Sequence, residues 1–106
     1  MATITIKLNK SEQPYYVDCF GTPARCEDTI KWETVDGEFS IAIRGASDFF
    51  TDANPVEKFT ISSSGTNTKQ FNIKSDLEIE TMRIYEVYCV DNKDFGDAPP
   101  RIIIVA

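Results

Sequence analysis

Histidine is absent from this chain of 106 residues, and the gap closes off more chemistry than any residue present opens. Without imidazole there is no Ser-His-Asp or Cys-His arrangement, so a nucleophile would need a lysine or carboxylate as its base, and no such pairing stands out. Glu78 and Glu80 fall on one face of an expected strand, where they read as its solvent side. The chain is expected not to be an enzyme. Basic clusters are missing too: 11 Lys and Arg stand against 17 Asp and Glu, and the net charge of −6 repels a phosphate backbone. No nucleic-acid partner is expected. The longest apolar run is Ile102-Ile103-Ile104-Val105-Ala106, whereas a spanning helix needs about 20 such residues, so no membrane span is expected. Met1-Ala2-Thr3-Ile4-Thr5-Ile6-Lys7 has neither a basic leader nor a continuous apolar stretch and reads as the start of a strand. The expected location is cytoplasmic if the chain is complete, and secreted or periplasmic if a leader was removed.

What the chain does contain is an apolar period of two. Hydrophobic residues at 42% and charged residues at 26% are the proportions of a chain with a packed core, and the length suits one domain over residues 1–106. Ile4, Ile6 and Leu8 alternate with polar residues, as do Tyr15, Val17 and Cys19, which predicts two edge-like strands. Ile30 and Trp32 belong to a third, and Asp36-Gly37 then predicts a hairpin turn into Phe39, Ile41 and Ile43. Gly45 to Val56 reads as a long connection with a helical turn near Ser47 to Phe50. Phe59/Ile61, Phe71/Ile73 and Leu77/Ile79 predict further short strands, with Ser62 to Asn67 as a turn. Ile84 to Val90, apolar on both faces apart from Glu86, predicts a central strand covered on two sides, as does Ile102 to Val105. Seven or eight short strands argue for an all-β, two-sheet sandwich with Greek-key connections. Trp32 is expected as a central core ring. Tyr15, Tyr16, Phe49, Phe50 and Phe95 sit at strand ends or loops, where rings cap the core or form a partner-binding patch.

Three cysteines, Cys19, Cys26 and Cys89, leave one unpaired in any intramolecular scheme. Cys19 and Cys26 bracket a short loop whose disulfide would stabilise the fold by roughly 2–3 kcal/mol; the alternative is that all three are buried thiols, the usual state in a reducing compartment. Both states stay open. Three thiolates would suit a soft metal, but no fourth cysteine completes a shell and the spacing is not a ligand pair. Asp91, Asn92, Asp94 and Asp97 offer the oxygen ligands calcium prefers, yet they lack the spacing of a calcium loop and read as solvated turn residues. Asn9-Lys10-Ser11 meets the glycosylation rule, which has meaning only in a secreted chain.

Four segments taken together resemble the strand landmarks of the cupredoxin-like family over about residues 15 to 106: Glu27-Asp28-Thr29-Ile30-Lys31-Trp32, Phe39-Ser40-Ile41-Ala42-Ile43, Tyr85-Glu86-Val87-Tyr88-Cys89 and Arg101-Ile102-Ile103-Ile104-Val105. In that family a histidine opens the second segment, a cysteine closes the third, another histidine follows three residues on, and a methionine follows a glycine. The resemblance places these ligands on Phe39 or Ser40, on Cys89, on Asn92, and on Asp97 after Gly96. One of the four survives. It therefore implies the scaffold without copper, since such a site takes two imidazoles and a thiolate in trigonal array. Cys19, Trp32 and Cys89 are also spaced much like the landmarks of an immunoglobulin domain, although Val87 stands where that family has a tyrosine. The expectation is a non-catalytic binding or structural module with no cofactor, and with a protein partner ahead of a small molecule. An immunoglobulin-like recognition domain and a thiol redox or soft-metal protein using Cys89 are the alternatives.

Overall fold

Alternation of large apolar with polar side chains is realised as strands over about half of the described residues. A computed structural model describes residues 1–12, 15, 21–96 and 99–106. The elements are β1 (Thr3–Asn9), β2 (Gly21–Ala24), β3 (Thr29–Asp36), β4 (Glu38–Arg44), the helical turn α1 (Ala46–Phe49), β5 (Val56–Ser62), β6 (Thr68–Asn72), β7 (Met82–Cys89), β8 (Asp94–Phe95) and β9 (Arg101–Ile104). Among the described residues, β1, β3 and β6 make a three-stranded sheet in that order, and β2, β9, β7, β4 and β5 a larger one, with β8 added beside β7.

The two sheets face each other across one apolar interior. Ile30 and Trp32 enter it from β3, Phe39, Ile41 and Ile43 from β4, and Tyr85, Val87 and Cys89 from β7. Each fully buried aliphatic or aromatic side chain contributes roughly 1.5–3 kcal/mol. Trp32 is the hub, with ring centroids 5.3 Å from Tyr85, 5.5 Å from Phe59, 6.1 Å from Phe71 and 6.2 Å from Phe50. Those four rings come from both sheets and from the end of α1, so one indole joins the layers. This is the central core ring that the alternation around Trp32 predicts.

Asp36-Gly37 does not close a hairpin. β3 pairs with β1 and β6, and β4 with β5 and β7, so the dipeptide is a corner that carries the chain from one sheet to the other. Burial is the reason. Trp32 and Thr34 on one side, and Phe39 and Ile41 on the other, all point into the same interior; paired as a hairpin they would line a single sheet with nothing opposite. Gly37 takes φ 102 at the corner, its carbonyl accepts from Thr34 Oγ1 at 2.9 Å, and its N–H donates to Ser63 Oγ at 3.0 Å. β4 and β5 are the true hairpin pair, and β6 returns to lie antiparallel beside β3, which makes β3 to β6 a Greek key folded across the two sheets.

Three further expectations are corrected. Leu77 and Ile79 form no strand: Ile79 is exposed and the segment turns, with Glu80 at φ 74 and Glu78 and Glu80 both in solvent. Gly21–Ala24, inside the span between Cys19 and Cys26, is a strand, pairing in parallel with β9 and holding Pro23 on a sheet edge, where a missing N–H costs no ladder bond. β7 is covered on one face only: Tyr85, Val87 and Cys89 are buried, whereas Ile84 on the other face is 52% exposed and Glu86 is open to solvent. Tyr16, Val17 and Cys19, predicted as part of a second strand, lie outside the described residues.

Candidate functional site

Of the positions that the family resemblance singles out, Phe39, Cys89 and Asn92 lie together at one end of the sandwich. Phe39 and Cys89 face each other directly across the β4–β7 ladder, and both are fully buried. The ring of Tyr15, also fully buried, stands edge-on to Phe39 with centroids 5.7 Å apart and planes at 65°. Its hydroxyl donates to Asp94 Oδ1 and accepts from Asn92 Nδ2 at 3.3 Å. Asn92 Nδ2 also donates to the carbonyl of Lys10 at 3.0 Å. The phenol, amide and carboxylate are thus bonded to one another above the apolar pair. Tyr15 stands at φ 88, a conformation that a bulky residue keeps only where its surroundings over-determine it.

Local backbone bonds explain why these groups meet. Asn9 N–H donates to the Tyr15 carbonyl at 3.0 Å, Lys10 N–H to Asp36 O at 3.0 Å, and Val90 N–H to Glu38 O at 2.9 Å. Glu38 N–H donates to Asp91 Oδ2 at 2.7 Å. A Cβ added to Gly37 would lie 2.9 Å from Lys10 Cβ and 3.1 Å from Asp91 Oδ2, so the corner glycine lets the other two segments close over it. Asp91, Asn92 and Asp94, which share a calcium-like composition, are each engaged by protein groups: Asp91 by Glu38 N–H, Asn92 by Lys10 O, and Asn92 and Asp94 together by the Tyr15 hydroxyl.

This donor set does not fit a trigonal imidazole–thiolate copper site. Phe39 offers a hydrocarbon ring, Ser40 lies on the outer face of the sheet with its hydroxyl 3.1 Å from that of Thr60, and the Asn92 amide is engaged as above. Asp97 lies outside the described residues, as does Cys19 of the candidate Cys19–Cys26 bridge. Cys26 and Cys89 are free thiols, and the half-buried Cys26 Sγ donates to Leu77 O at 3.3 Å. Among the described residues no three Cys, Asp or Glu side chains are placed to hold a metal.

A second feature lies on the outer face of the large sheet. There β4 presents small side chains, Ser40 and Ala42, between the longer outward residues of β5 and β7, and the mismatch leaves a depression of about 760 Å³. Val56 and Lys58 border it on the β5 side, Glu86 and Tyr88 on the β7 side, and Phe95 of β8 closes one end. Phe95 is 60% exposed, while Tyr15, Phe49 and Phe50 are buried, so of the described rings suggested for a partner patch only Phe95 is offered to solvent. At the other end a contiguous hollow of about 300 Å³ is lined by Arg44, Met82, Arg83 and Ile84. The bonding of Tyr15 to Asn92 and Asp94 and this outer groove both escape a pass along the sequence. The groove alone leaves a trace there, in the change from large to small residues between the two faces of β4.

The topology and the interior define a cupredoxin-like β-sandwich. A solved structure similar to it is the reduced Cu(I) form at pH 4 of a proline-to-glycine mutant of amicyanin, with a TM-score of 0.59 and 11% sequence identity over 96% of this chain and 81% of that one. At that identity the likeness is one of fold. No family model matches the sequence, and no curated protein matches it.

Proposed function

We propose that the chain is a copper-free, non-catalytic binding or structural module on a cupredoxin-like sandwich, acting on a protein partner through its surface. The observation that carries this reading is the plug: Tyr15 and Phe39 pack beside Cys89, and the phenol of Tyr15 is bonded to Asn92 and Asp94. Cys89 is completely enclosed, which removes the accessible, electropositive setting that a reactive thiolate requires. Absence of histidine removes the ordinary general base.

Titration of the reduced protein with cupric ion tests the reading. The expected result is no intense visible thiolate-to-copper band and no reversible voltammetric wave. A stoichiometric blue species that cycles at an electrode would overturn it.

A further inference from the structure

The outer groove is basic on a protein that is otherwise strongly acidic. Arg44 and Lys58 stand on its β4 and β5 side with only Glu86 opposite, and Arg101, the cross-strand neighbour of Ile84, extends the same face. The surface as a whole carries −6, so this face has the opposite sign to the rest of the molecule. Arg44 and Lys58 are diagonal neighbours on this outer face, since Arg44 stands opposite Val56 and Ala42 opposite Lys58 in the β4–β5 ladder. Two cations at that diagonal spacing can share one carboxylate, which the guanidinium grips through two N–H donors. Between this basic end and Phe95 the floor is Ser40 and Ala42, and the margins include the exposed Val56 and Ile84. The floor runs along one strand, so an extended chain laid on it meets charge at one end and apolar surface along its length.

Resting on the binding-module reading, we propose that the groove over β4 takes an extended acidic peptide segment of a partner protein, with a carboxylate held at Arg44 and Lys58 and an apolar side chain seated over Ala42 toward Tyr88 and Phe95. A second copy of this chain is disfavoured as occupant, because two molecules of charge −6 repel on approach.

The test is selection from a displayed library of random dodecapeptides on the folded protein, followed by affinity measurement of the synthetic consensus peptide. Enriched peptides are expected to carry Asp or Glu at a fixed spacing from an aromatic or aliphatic residue. Arg44→Glu and Ala42→Phe, each checked for native circular dichroism, are expected to weaken binding at least tenfold, and Lys7→Glu on the other sheet to leave it within twofold. No enrichment, enrichment without acidic residues, or equal loss in Lys7→Glu and Arg44→Glu would overturn the proposal. So would sedimentation showing a dimer that Arg44→Glu dissociates. None of these outcomes touches the copper titration, so a failed groove and a failed module are told apart.

Discussion

Tyr15 holds the plugged end together through its ring and its hydroxyl separately. Tyr15→Phe keeps the ring against Phe39 but removes the hydroxyl's bonds to Asp94 and Asn92, whose exposed side chains can turn to water, so the loss is the net worth of a hydrogen bond, about 0.5–1.5 kcal/mol. Urea unfolding should show that loss, with Tyr15→Ala losing about 3–5 kcal/mol because the ring's packing goes as well. A Tyr15→Phe protein as stable as the parent would mean that the hydroxyl bonds contribute nothing net. Part of this end was legible residue by residue: the resemblance put Phe39, Cys89 and Asn92 at related positions, and the structure makes the first two cross-strand neighbours and links Asn92 to them through Tyr15. Tyr15 itself was not legible as a partner of Asn92. No period or spacing relates residues 77 positions apart, and only the closing of the loops brings them into contact.

The entry to β3 shows how one charged group can set the pH response of an element. Asp28 is buried; its Oδ1 accepts from Ala2 N–H at 2.8 Å and its Oδ2 from Arg25 N–H at 2.9 Å. Burial alone would raise its pKa, but those two backbone bonds, with the nearby amino terminus and Arg25, more than offset it and hold the carboxyl below its ordinary range. A depressed folded-state pKa means that the stabilisation is in place above the unfolded value of about 3.9 and is lost as the pH falls through the folded value. Asp28→Asn should therefore lower stability near neutrality by about 1–3 kcal/mol and flatten the acid limb of a stability–pH curve below about pH 5. If parent and variant lose stability in parallel across that limb, another carboxylate governs it. At this scale the sequence is a good guide to faces and a poor one to partners. Phe39, Ile41 and Ile43 mark the inward face of β4 in the primary structure, yet Asp36-Gly37 carries the same local signal whether it closes a hairpin or turns a corner. The choice belongs to the opposing sheet. β2 was hidden for a related reason, since Gly21-Thr22-Pro23-Ala24 has Thr22 as its sole strand former and owes its extended form to the β9 edge.

For the molecule as a whole, the pairings that matter join distant parts of the chain. β1 lies parallel to β3, β2 parallel to β9, and β7 between β4 and β9. Sandwiches with such non-local order fold in milliseconds to seconds rather than microseconds. Trp32, the sole tryptophan and fully buried, supplies the probe: its fluorescence in stopped-flow refolding should report a main phase in that range. A microsecond phase carrying the full amplitude would contradict the assigned strand order.

The parallel seat of β9 beside β2 also bears on how the protein is made. Gly21 finds its partner only when Arg101 has been synthesised, about 80 residues later, and at roughly 5–20 residues per second that interval lasts several seconds on the ribosome. β4, and late in that interval β7, are made before β9, so their inward faces wait for a finished sheet until it arrives. Closure of the interior therefore waits on β9, and a chain cut short of it leaves β2 without its neighbour in the sheet and β7 with an open edge.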